Sequence, residues 1–86
     1  MTPDELLLRH PGETLPWLRL QLRLNRRAFA RWLGVPATTV ERWEGGTSDI
    51  PRVFLQRLVP LVGRYLATEE GRAWLRTLGE ERDGAG

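Results

Sequence analysis

The sequence predicts an all-α fold, a compact bundle of five to six short helices around a central helix-turn-helix. Three observations carry this. Apolar residues recur at three- and four-residue spacing through most of the chain. Thr, Asn and Pro stand where such stretches begin, and Gly where several end. Residues 26–46, RRAFARWLGVPATTVERWEGG, put small and apolar side chains where two helices crossing at a tight turn need them. At 86 residues the chain is one domain, since a chain of this size buries only about 60 to 65% of its unfolded surface and supports one core. Residues 1–79 are expected to form it, and the charged, Gly-rich residues 80–86 to be a flexible tail.

Taken in order, Thr2, Pro3, Asp4 and Glu5 read as a capping box with Pro at the first helical position and acids at the positive end of the helix dipole. Leu6, Leu7 and Leu8 follow, and the helix is predicted to end by His10-Pro11-Gly12. His10 is the only histidine and, without Cys or a second His, has no metal partners; it is expected to be exposed and idle. Thr14 is placed to cap the next helix, with Pro16 in its first turn and Leu15, Leu18, Leu22 and Leu24 as apolar positions. The alternation LRLQLRL over residues 18–24 also scores as a strand, but the helical context on both sides decides for helix. Asn25 is positioned to cap the helix over residues 26–33.

In that helix Phe29, Ala30 and Leu33 form one apolar stripe, and Gly34 suits the positive φ of a helix stop. Val35 covers the turn from inside. Pro36 disfavours helix at the residue before it, so a new helix is predicted over residues 37–44, with Val40 and Trp43 buried and Ala37, Thr38, Glu41 and Arg42 facing outward. Ala30 is small because helices joined by so short a turn must approach closely. A polar loop follows over residues 44–49. Pro51 then opens a helix carrying Val53, Phe54, Leu55, Leu58 and Val59, which Pro60 is predicted to kink or end. Leu61, Val62, Tyr65 and Leu66 continue the apolar pattern, and Thr68 with Glu69 and Glu70 marks a last helix through Trp74, Leu75 and Leu78, stopped by Gly79. Leu61, Tyr65, Leu66, Trp74, Leu75 and Leu78 exceed what one small core needs. Two explanations stand open: a homodimer through these C-terminal helices, or closure of the monomer's own core.

The segment resembles the helix-turn-helix of the phage-repressor family (Cro/cI, XRE-like). Its members combine a small residue early in the first motif helix, Gly at the turn, a β-branched aliphatic in the second helix and an aromatic-Glu-x-Gly ending. Here these are Ala30, Gly34, Val40 and Trp43-Glu44-Gly45-Gly46, and the similarity extends over residues 15–59. The chain departs at Arg26 and Arg27, where the family usually has Gln and acidic residues, and at Arg23, where it often has Gly. The resemblance implies a lambda-repressor-like DNA-binding fold and a small transcriptional regulator, a repressor, that reads the major groove of double-stranded DNA with helix 37–44. Ala37, Thr38, Glu41 and Arg42 would contact bases, with Arg42 on a guanine and Glu41 accepting from a cytosine amino group. Asn25, Arg26, Arg27, Thr39, Gly46, Thr47 and Ser48 would hold phosphates. It also implies an ion pair between Arg19 and Glu44. The competing expectation is a protein-interaction module, such as an antitoxin or phage-type modulator binding a toxin or RNA polymerase.

Charge agrees with an anionic partner. The net charge is only +2, but between residues 17 and 57 eight Arg stand against three acids, whereas residues 68–83 hold three Arg and five acids. All thirteen basic residues are Arg, which reads as codon usage rather than selection for a site. One His, one Ser and no Cys leave no nucleophile with a base, so no enzyme, metal or cofactor is expected. No apolar run approaches a membrane span and no leader resembles a signal peptide, so the expected location is cytoplasmic.

Overall fold

The structure, a computed structural model, describes the backbone of residues 1–85 and the side chains of residues 1–79. Thr2 Oγ1 accepts the Glu5 N–H at 3.2 Å and Pro3 takes the first helical position, so α1 (Pro3–Arg9) starts where the sequence marks it. The second helix starts earlier than Thr14 signals. α2 spans Pro11–Leu22 because His10 ends one helix and opens the next, its carbonyl accepting the N–H groups of Glu13 and Thr14 at 3.3 and 2.9 Å. Thr14 is therefore an interior residue, fully buried, and its hydroxyl donates to the Leu6 carbonyl at 3.1 Å, tying α2 to α1. Pro16 consequently lies inside α2 rather than in its first turn, and His10 is half-buried rather than exposed.

The central pair forms as expected. Asn25 Oδ1 accepts the Ala28 N–H at 2.8 Å and caps α3 (Arg26–Leu33), which stops at Gly34 with φ 82°. After Pro36, α4 (Ala37–Gly45) runs to Gly46 at φ 76°. Two later helix ends do not occur. α5 (Arg52–Leu66) continues unbroken through Pro60. Pro60 and Gln56 are both exposed, so water can satisfy the Gln56 carbonyl that loses its donor, while Leu58 and Val62 anchor the helix on its buried side. α6 (Glu69–Ala85), capped by Thr68 Oγ1 on the Gly71 N–H at 3.0 Å, likewise runs past Gly79. Gly79 has no positive φ, so here it only weakens a helix by about 1 kcal/mol and does not end it. The looseness expected of residues 80–86 falls on side chains outside those described, and Gly86 lies outside altogether.

The core is one cluster. Leu6 and Leu7 of α1, Leu15 and Leu18 of α2, Phe29 of α3, Val40 and Trp43 of α4, and Leu58 and Val62 of α5 are essentially inaccessible. α2 packs against α4, α3 against α4, α1 against α5 and α5 against α6. Trp17 of α2 stacks on Trp74 of α6 with centroids 4.2 Å apart and planes within 5°, which closes the bundle. Leu61, Tyr65, Leu66, Leu75 and Leu78 also pack on this cluster. Of these C-terminal apolar residues, Leu78 is buried in the chain's own core, and Leu61, Tyr65, Leu66, Trp74 and Leu75 are half-buried against it. Gly71 is buried where α6 meets the end of α5; any Cβ there would collide with the Tyr65 carbonyl oxygen. Among the described residues no helix is long and apolar enough to cross a membrane.

Candidate nucleic-acid interface

The helix-turn-helix presents one face of α4 to solvent because the opposite face is fixed. Val40 and Trp43 are 0% and 1% exposed, Trp43 lying 5.4 Å from the Phe54 ring of α5. A helix pinned at these positions must turn Thr38, Glu41, Arg42 and Gly45 outward together. These four residues and Thr47 line an open notch along the outer side of α4. Thr38, Glu41 and Arg42 are exposed, whereas Ala37 is half-buried against the core, since it shares the stripe of Val40 one turn earlier. Glu41 and Arg42 form no ion pair with any described residue.

Glu44, by contrast, is fully engaged. Its side chain is 7% exposed and receives Arg19 Nε at 2.8 Å on Oε2 and Arg19 Nη2 at 3.2 Å on Oε1, a two-pronged pair joining α2 to α4. The expected Arg19 to Glu44 bridge is present, and Arg26 joins it. Arg26 Nη2 donates to Glu44 Oε1 at 3.1 Å while its side chain stays 44% exposed, so one carboxylate holds the amino end of α3 as well. The helices are drawn close at this point. The Glu44 carbonyl oxygen lies 2.7 Å from where a Cβ on Gly12 would sit, so only glycine fits at the amino end of α2.

The other residues expected at phosphates are disposed unequally. Arg27 is exposed and forms no ion pair with any described residue; Asn25 is exposed, with its oxygen committed to the α3 cap. Thr39 and Ser48 are half-buried. Gly46 and Thr47 turn their N–H groups back onto the end of α4: Gly46 to the Trp43 carbonyl at 3.3 Å, Thr47 to that of Arg42 at 3.0 Å. The Thr47 hydroxyl also donates to the Arg42 carbonyl, at 3.3 Å. These donors complete a helix cap, which leaves the loop less able to bind an anion than its composition promises.

One structural residue gave no signal in the sequence. Arg57 of α5 donates to the carbonyls of Leu33 and Trp32 at 3.0 and 3.3 Å, and its guanidinium lies 5.4 Å from the Trp32 ring centroid. A cation at the carboxyl end of α3 satisfies its last carbonyls and opposes the negative end of its dipole. It is remote in sequence, and nothing around Arg57 marks it.

These elements define an all-helical domain with an exposed polar face, unpaired among the described residues, on the second helix of a short-turn pair. The chain matches no protein-family model, and comparison with curated proteins and with solved structures gives no significant match.

Proposed function

We propose that this protein binds double-stranded DNA sequence-specifically, as a small transcriptional regulator, with α4 in the major groove. The observation that carries the reading is the division of α4. Val40 and Trp43 anchor it in the core, while Thr38, Glu41 and Arg42 stand exposed on one face with neither charge paired to a described residue. Charged groups left unpaired beside an ion-pair network are available to base edges: Arg to guanine O6 and N7, Glu to the cytosine amino group. Arg27, the amide of the exposed Asn25 and the remaining donors of Arg26 would hold the phosphate backbone beside it. The test is selection from a random-sequence duplex pool. Enrichment of a motif supports the reading, and its absence at every salt concentration refutes it.

A second reading, an interaction module for another protein, is favoured by one observation. Leu8 is 59% exposed beside a groove between α1 and α5 lined by Leu55, Val59 and Pro60. A failed duplex selection would leave that reading in possession.

A further inference from the structure

The carboxyl ends of α2, α3 and α4 are built alike. In each, the residue after the helix is left-handed and the next N–H reaches back into the last turn: Leu24 to the Arg19 carbonyl at 2.9 Å, Val35 to Ala30 at 3.0 Å, Thr47 to Arg42 at 3.0 Å. Two of the three left-handed residues are glycines, Gly34 at φ 82° and Gly46 at φ 76°. The third is Arg23, at φ 60° and ψ 41°, the one non-glycine residue with positive φ among those described. A Cβ in this conformation crowds the neighbouring carbonyl oxygen, a penalty glycine avoids. The same turn is made twice here with glycine, so the turn does not call for arginine. What glycine lacks is a cation.

Packing does not account for Arg23 either. It is exposed, and its guanidinium takes part in no hydrogen bond or ion pair among the described residues. Four other arginines are committed, Arg19 and Arg26 to Glu44, Arg57 to the end of α3 and Arg72 to the Ala67 carbonyl, whereas Arg23 shares its lack of a described partner with Arg27 and Arg42 and differs from them in its left-handed backbone. Arg23 stands in the link between α2 and α3, close in sequence to Asn25 and Arg27, which are exposed as well. A left-handed backbone position held by a non-glycine residue points to a role for the side chain it carries, and here that side chain is a cation with no described partner.

Resting on the DNA-binding reading, we infer that Arg23 is a further phosphate-binding residue, donating to the DNA backbone alongside Arg27 and reading no base. Its effect is then opposite in sign on stability and on binding. Arg23→Gly relieves the strain and raises the melting temperature by about 2 to 6 °C. The same variant loses one phosphate contact, which lowers the slope of log affinity against log salt by about 0.9 and weakens binding to any duplex about eight-fold at 0.1 M salt. Arg23→Lys keeps the charge and hence the slope. The experiment measures thermal unfolding, and binding of wild type, Arg23→Gly and Arg23→Lys to a mixed-sequence duplex across a salt series. A more stable Arg23→Gly with the reduced slope, and a full slope for Arg23→Lys, supports the assignment. A wild type that binds while Arg23→Gly keeps the full slope overturns this assignment alone, as does an Arg23→Gly variant that melts lower than wild type. A wild type that binds no duplex at any salt overturns the DNA-binding reading itself.

Discussion

Replacing Glu44 by Ala removes the one carboxylate that two arginines share, and its cost can be apportioned from their exposure. Arg19 is 17% exposed and Glu44 7%, so this pair is close to buried and the variant leaves a guanidinium without its partner. Breaking a fully buried pair costs about 3 to 5 kcal/mol; residual solvent around Arg19 lowers that to about 2 to 4 kcal/mol. Arg26, 44% exposed, belongs to the surface class and contributes under about 1 kcal/mol. For a domain of this size each kcal/mol shifts the midpoint by about 4 to 8 °C, so Glu44→Ala should melt at least about 8 °C lower. The assay is a pair of double-mutant cycles by thermal and urea unfolding, one crossing Arg19→Ala with Glu44→Ala and the other Arg26→Ala with Glu44→Ala. Coupling should be larger in the first cycle by a factor of two or more. Equal couplings, or a fall of less than about 4 °C in Glu44→Ala, would refute the argument that burial sets the strength of these bridges.

Further outcomes follow from the same geometry. Trp43→Ala deletes a 1% exposed side chain from the centre of the core and should cost about 3 to 5 kcal/mol, read by urea unfolding; an unchanged midpoint would contradict its placement. Arg42→Ala should fold normally, lose about 1 to 3 kcal/mol on the selected duplex and relax preference at one base pair, measured against scrambled duplex. Arg27→Ala should instead weaken binding to every sequence alike and lower the salt slope by about one unit. Gly71→Ala should prevent α6 from docking on α5, because the added methyl meets the Tyr65 carbonyl; loss of the Trp17 to Trp74 stack, followed by near-ultraviolet circular dichroism, is its signature.

The fold class, the central helix pair and the Asn25 and Thr68 caps were legible in the sequence because each rests on local chemistry. Asn25 accepts the N–H of Ala28 and Thr68 that of Gly71, both within one turn, and Gly34 and Gly46 take the positive φ that a side chain opposes. Val40 and Trp43 were legible as buried because a three-residue spacing sets both on one helix face. The helix ends offered at Pro60 and Gly79 were local inferences too, and at Pro60 tertiary structure carried the helix on. A proline on the solvent side of a helix held by Leu58 and Val62 forfeits one bond that water replaces. Thr14 looked like a cap because its sequence cannot show that the Leu6 carbonyl of another helix lies 3.1 Å away. The same holds at the candidate site. One helix period shows that Thr38, Glu41 and Arg42 share a face. The resemblance anticipated Arg19 with Glu44, but only the packed structure brings Arg26 to that carboxylate and Arg57 to the end of α3, across 18 to 25 residues of chain that no local pattern spans.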